Sequence, residues 1–262
     1  MKLFFVFFKY HIKERMEYRS AFIVGVCAQT LAYAANYLVV WMLMQKFGAI
    51  NGWSWPEVAF LYSIGLFVYA IGASFTFVQM QSLEEMVRDG TFDIILIKPR
   101  NPFYYFVTST FNNGYIAHLL LSGTILVWSL SQLKIEWNLL KVIYFCLNIA
   151  SGSLVIAGLL TIIGSLTFRV IRLQFLFRLF NRLREFISYP ISIYSLFIQI
   201  LLVFIIPLAF VNFVPSSFIL AKEFQYDGNI TYILSPFIGP ILFYIAYLFW
   251  MSNLNRYQGA GG

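Results

Sequence analysis

The residue types that carry out covalent or metal chemistry are few in this chain, and their spacing does not suit it. Only two histidines occur, His11 and His118, and no HExxH helix is present, which removes His-rich zinc chemistry. No Walker-type phosphate loop or glycine-rich strand–helix turn occurs, so no recognisable nucleotide motif exists. The serines near Gly152 and Gly164 have no histidine base in the same stretch, and no Asp or Glu lies deep in a long apolar run. That leaves neither a hydrolytic pair within a bilayer nor the buried carboxylates of an ion-coupled carrier. Cys27 and Cys146 both fall in apolar stretches and read as small buried hydrophobes, not as a disulfide or metal pair. His118 reads as a neutral imidazole between helices, with a proton or substrate site as the sharper alternative. The other deep polar residues are the neutral Gln29, Asn36, Gln79, Asn148 and Gln199, which read first as interhelical hydrogen-bonding groups. No catalytic residue and no metal ligand is expected here.

One polar island stands out instead. It runs from Glu84, Glu85, Met86, Val87, Arg88, Asp89, Gly90, Thr91, Phe92 and Asp93 through Ile94 to Ile97, then Lys98, Pro99, Arg100, Asn101 and Pro102. It mixes both signs of charge and adds one glycine and two prolines that fix backbone shape. Apolar stretches flank it on both sides, so it must meet water at a bilayer face. A short helix around 82–89, a turn at Gly90 and a return stiffened by Pro99 and Pro102 would present its charges to another protein.

The elements that position this island follow from composition. The chain is 60% hydrophobic and 11% charged, with 29 phenylalanines. A soluble domain carries about 25% charged residues and could not cover so much apolar surface. The fold class is therefore all-α and polytopic. Six segments are long and apolar enough for spans, at roughly 21–44, 58–81, 110–132, 139–167, 187–210 and 230–251. Of the 18 basic residues, fourteen fall in the termini and the loops on the island side and four in the opposite loops (Lys46, Lys134, Lys141 and Lys222). By the positive-inside rule both termini and the island are cytoplasmic, and the basic excess reads as a topology signal, with no nucleic acid implied.

Three flanking stretches complete the layout of a single transmembrane domain over 1–262. Residues 1–20 mix Phe and Tyr with Lys and Arg as an interfacial amphipathic helix does, either as an anchor or as a transmitter of force. Residues 168–186 form a second basic amphipathic stretch, for which anionic lipid headgroups are the default partner. The outer segment 211–229 is too apolar for a free loop and too short for two more spans, so a re-entrant or surface-lying hairpin fits it. Inverted repeats of the secondary-transporter kind are not evident.

These residues resemble a family. The run Arg88, Gly90, Phe92, Asp93, Leu96, Lys98, Pro99 and Pro102 is similar to the R-x-G-x-[FL]-D-x-x-L-x-[KR]-P-x-x-P signature of type-2 ATP-binding-cassette permeases, in the six-span branch long labelled uncharacterised. The stretches Arg184 to Tyr194 and Ile206 to Pro215 resemble that branch's fifth-span region. The tail Tyr257, Gln258, Gly259, Ala260 and Gly261 resembles its Y-x-[GS]-A-G ending. The resemblance implies a non-catalytic permease subunit of an exporter in a bacterial cell membrane. It also implies pairing with a second permease, identical or related, and with separate ATPase subunits that bind ATP and Mg. It gives the ATPase-coupling role to Glu84, Glu85, Met86, Arg88, Asp89, Gly90, Asp93, Lys98, Pro99 and Arg100. It places a substrate path near Gln29, Tyr33, Asn36, Gln79, Tyr194 and Gln199. The cargo would be amphipathic, such as a lipid, peptide or antibiotic. An ion-coupled secondary carrier is the alternative, and a lipid-modifying membrane enzyme a weaker one.

Overall fold

A computed structural model of the chain describes residues 19–109, 113–170, 172–222 and 228–257. The expected interfacial helix at 1–20 lies almost wholly outside the described residues, as does the tail after Tyr257. Among the described residues every regular element is helical, apart from one isolated bridge between Ile50 and Trp53. Four helices are long and apolar enough to cross a membrane: Phe22–Phe47, Trp55–Arg88, Leu139–Phe168 and Asn229–Leu254. Two shorter apolar helices, Ile116–Gln132 and Leu196–Ile205, stand where the expected third and fifth spans were placed.

The first helix, α1 (Arg19–Phe47), is nearly bare: only 11% of its apolar window is buried, against 83% for the next helix. That central helix is α2 (Trp55–Ser74), which bends at Phe75 and Thr76 and continues as α3 (Phe77–Arg88). Its start is well specified. Pro56 occupies the first turn, where its missing N–H costs nothing, and the Ser54 N–H donates to the Glu57 carboxylate at 2.8 Å. The Thr76 hydroxyl donates to the Gly72 carbonyl at 2.8 Å at the bend.

After the island come α4 (Asp93–Leu96), α5 (Pro102–Ser109), α6 (Ile116–Gln132) and α7 (Leu139–Ser165). Helix α7 packs against the last helix, α11 (Gly228–Leu254), which contains Pro236 and Pro240. The contact is backbone to backbone. A Cβ on Gly239 would lie 1.9 Å from the Ser151 carbonyl oxygen. The Ser151 hydroxyl accepts from the Gly239 N–H at 3.0 Å and donates to the Ser235 carbonyl at 2.9 Å. Those are the donor and acceptor that a regular turn would pair with each other. The Ser235 hydroxyl in turn donates to Asn148. Asn148 therefore serves the interhelical role expected of it.

The fifth apolar stretch departs from expectation. Residues 187–210 are not one helix: a 3-10 turn at Ile191–Ile193 precedes a short α9 (Leu196–Ile200), which widens into a π-helical turn at Leu201–Ile205 and breaks at Ile206 and Pro207. The basic stretch before it, expected to lie on headgroups, forms α8 (Gln174–Phe186) and runs along the central helix. The contacts fix its course. The Leu173 N–H meets Glu84, Phe177 meets Phe77 at 5.9 Å, the Arg184 guanidinium meets Tyr69, and the Ile187 carbonyl shares the Asn212 amide with Leu61. Ser192 then reaches Asn51 in the loop before α2. The chain has climbed nearly the whole 34-residue length of Trp55–Arg88. The cause is the apolar stripe Leu173, Phe177, Phe180 and Ile187, which is buried and packs inward while Arg178 and Arg182 stay exposed.

From there the chain descends to Val211, level with Val68 and Gly152, and returns through α10 (Phe213–Ile219). Lys222 closes this loop at the far end. It pairs with Glu57 at 2.9 Å, donates to the Gly52 carbonyl at 2.9 Å and lies over the Trp53 ring. Cys27 and Cys146 are free, as expected, but exposed on the chain's outer face where burial had been read.

Candidate functional site

Two sites emerge, one at each working position along the central helix. The first is the island. Helix α3 ends at Arg88, and the Asp89 N–H still donates to the Glu85 carbonyl at 2.9 Å. Gly90 then takes φ +71°, the left-handed conformation that a side chain resists. This turn sends Phe92 inward. The ring is fully buried and stands 5.2 Å from Phe168, 5.6 Å from Tyr257, 6.1 Å from Phe106 and 6.2 Å from Trp250. Ile95 is buried beside it. The polar loop is thus bolted to the ends of α5, α7 and α11 by one aromatic plug. Phe92 was not among the expected coupling residues.

The return is equally fixed. Asn101 accepts from the Phe103 N–H at 3.0 Å and the Tyr104 N–H at 3.3 Å, capping α5, while its amide donates to the Tyr247 hydroxyl at 2.9 Å. Pro102 starts α5 at a position that needs no N–H. Of the expected coupling residues, Glu84 is partly internal, because its carboxylate accepts from the Leu173 N–H at 3.0 Å. Met86, Gly90 and Asp93 are half-buried, and Glu85, Arg88, Asp89, Lys98, Pro99 and Arg100 are exposed. Arg88 pairs with Asp89 at 3.0 Å and with Glu85 at 4.0 Å, and the Asp89 carboxylate raises its pKa further above the ordinary value. Burial raises the Tyr257 phenol, with Asp93 adding to the effect. Ile97, 78% exposed, and Ile94 add apolar surface to the charged rim.

The second site is a cleft of about 480 Å³ between α1, α2 and the end of α8. Ala32, Tyr33, Asn36, Val39 and Val40 form its α1 wall, with Tyr62, Arg184, Glu185, Ser188 and Tyr189 opposite. Tyr33 also packs on His118 at 4.1 Å, and Tyr115 and Tyr69 close the ring cluster behind. His118 is buried there, in keeping with the structural reading.

Of the expected path residues, the structure brings Tyr33 and Asn36 together in this cleft. Gln29 is exposed about two turns back on α1, and Gln79 is buried on α3. Gln199 donates to the Tyr194 carbonyl at 2.9 Å, and Tyr194 packs edge-on to Phe186 at 5.1 Å, so these two brace the turn into α9. Arg184, Glu185, Ser188 and Tyr189 were not among the expected path residues. Their signal was their place in the Arg184-to-Tyr194 stretch.

Comparison with known proteins adds one decisive match. Residues 30–261 match the family described as ABC-2 family transporter protein. The chain belongs to that family. No curated protein and no solved structure gives a significant match. As an ABC-2 permease the chain is a membrane subunit of an ATP-binding-cassette transporter, of a type that is typically non-catalytic and partnered by an ABC ATPase.

Proposed function

We propose that this chain is the translocation subunit of an exporter, with the island as the contact that receives force from the ATPase. The observation that carries the reading is the way the island is held. Gly90 turns it, Phe92 bolts it to three other helices, and Glu84 ties it to the start of α8. A loop that only connected two spans would need none of these fixings. A push on Glu85, Arg88 and Asp89 would pass into α8 and α11 as a rigid displacement. In this reading the island and both termini face the cytoplasm of a bacterial cell, and the limb from Leu196 to Lys222 re-enters from the outer face. A second permease, identical or related, covers α1 and the cleft, and the path runs between them. ATP and Mg are bound by the partner, and the cargo is amphipathic.

The test is purification of the tagged chain from its native membrane, with mass spectrometry of co-eluting proteins. An ABC ATPase at about one copy per permease is expected. The double charge reversal Glu85→Lys with Asp89→Lys is expected to release it while the permease keeps its melting temperature. Retention of a fully stimulated ATPase by that variant would overturn the island's assignment.

A further inference from the structure

Arg184 occupies a place that belongs to the core. It follows Phe177 and Phe180 on the inward stripe of α8, and Ile187 continues the stripe. Its guanidinium lies 4.1 Å from the centroid of Tyr69, fourteen residues from the start of the 34-residue helix Trp55–Arg88. At about 1.5 Å per residue, Tyr69 is roughly 20 Å from one end of that helix and more from the other, well within the hydrocarbon layer. A cation at that depth is costly and marks a functional site by default.

What surrounds Arg184 makes it a site and not an ion pair. Among the described residues no carboxylate lies within salt-bridge distance of it. Glu185, the other charged group on the cleft, pairs with Arg182 at 3.3 Å on the exposed face of α8. Among the described residues the buried Arg184 Nε has no hydrogen-bond partner, while Tyr33 faces the guanidinium. A guanidinium carries five donors in a planar fork matched to carboxylate or phosphate. The cleft around it pairs hydroxyl and amide groups (Tyr33, Asn36, Tyr62, Ser188 and Tyr189) with an apolar run at Ala32, Val39 and Val40.

We infer that this cleft binds an amphipathic molecule by its anionic head, a carboxylate or phosphate held by Arg184, with the apolar remainder along α1. The head's charge offsets the buried cation, and its oxygens fill the fork. The inference rests on the export reading for treating that molecule as cargo. The binding itself does not depend on it.

The experiment is equilibrium binding of radiolabelled dodecyl phosphate to the full chain in phosphatidylcholine nanodiscs. Dodecanol and dodecyltrimethylammonium serve as competitors. Saturable binding is expected that neither displaces. Arg184→Gln should weaken it by about 10-fold or more, the scale of a charged hydrogen bond, and Arg184→Lys should recover part of the loss. Ser188→Asp, which sets a carboxylate in the same cleft, should abolish binding and keeps the test decisive if Arg184→Gln does not fold. Repeating the assay in phosphatidylglycerol discs separates two sources of the anion. Loss of probe binding there assigns the site to a lipid headgroup, and retained binding assigns it to another anionic amphiphile. Unchanged binding in both variants, or equal competition by the cationic amphiphile, would overturn the inference. ATPase co-purification from the same preparation tells the two readings apart. Charge-selective binding without an ATPase would sink the export reading alone, and an ATPase without such binding would sink this one alone.

Discussion

Phe92 and Gly90 show how two residues turn a polar loop into a rigid part. Among the described residues the ring has four aromatic neighbours, and it has no exposed surface, so Phe92→Ala leaves a cavity where the island meets the helices. A large-to-small change of this kind costs about 3 kcal/mol or more. The expected outcome is a clear drop in melting temperature together with loss of ATPase stimulation, with Phe92→Leu intermediate. Unimpaired stimulation in Phe92→Ala would remove the plug from the proposed coupling role. At Gly90 the φ of +71° makes Gly90→Ala strained by about 1–2 kcal/mol, and Gly90→Asn should be milder because Asn tolerates that region. A melting series over the three residues checks the order. The island was legible from its charges and turn residues. The plug was not, because a lone phenylalanine in a chain with 29 gives no sign of which aromatic groups will surround it.

Among the elements, the α7–α11 contact makes the sharpest claim. Gly239 has no room for a Cβ against the Ser151 carbonyl, so Gly239→Ala must separate two helices that otherwise touch along the backbone. Overpacking of this sort costs about 1–3 kcal/mol, and the neighbour here is backbone that cannot rotate away. Ser151→Ala should cost only about 1 kcal/mol, since the Gly239 N–H and Ser235 carbonyl can approach each other directly. Thermal unfolding in detergent compares the two, and a larger loss in Ser151→Ala than in Gly239→Ala would contradict this account. At the far end, Lys222→Met removes the partner of Glu57 and the donor to Gly52, so protease accessibility of the 196–222 limb should rise. Hydropathy predicted the long helices well because each is apolar on every side. It failed for α8, whose polar residues lowered the local average although Leu173, Phe177, Phe180 and Ile187 form an inward stripe interrupted only by Arg184. A window average cannot see a helix whose exposed face needs a partner other than lipid, and so the fifth span was drawn over 187–210.

For the molecule as a whole, the surfaces left open are unequal in kind. Much of α11 and the outer face of α7 expose apolar side chains such as Ile233, Phe237, Ile241 and Leu147, which lipid can cover. The face made by α1 and α8 exposes Asn36 and the Arg182–Glu185 ion pair beside the cleft, and transfer of an amide and an ion pair into hydrocarbon is costly. On the proposed export reading, that inequality favours the α1–α8 face as the one a second permease would cover. Oxidative cross-linking tests it in native membranes. With Cys27→Ser and Cys146→Ser as background, Asn36→Cys should form a permease–permease band if two copies pair through this face, since residues beside the axis of such a pair approach each other. Restoring Cys146 alone, exposed on α7, should form none. Because a disulfide needs a thiol on both chains, mass spectrometry of the band reports a second copy of this chain, and a related permease would need its own cysteine placed opposite Asn36→Cys. A band from Cys146 and none from Asn36→Cys would move the interface to the opposite face, and the cleft at Arg184 would then open to lipid instead of to a path.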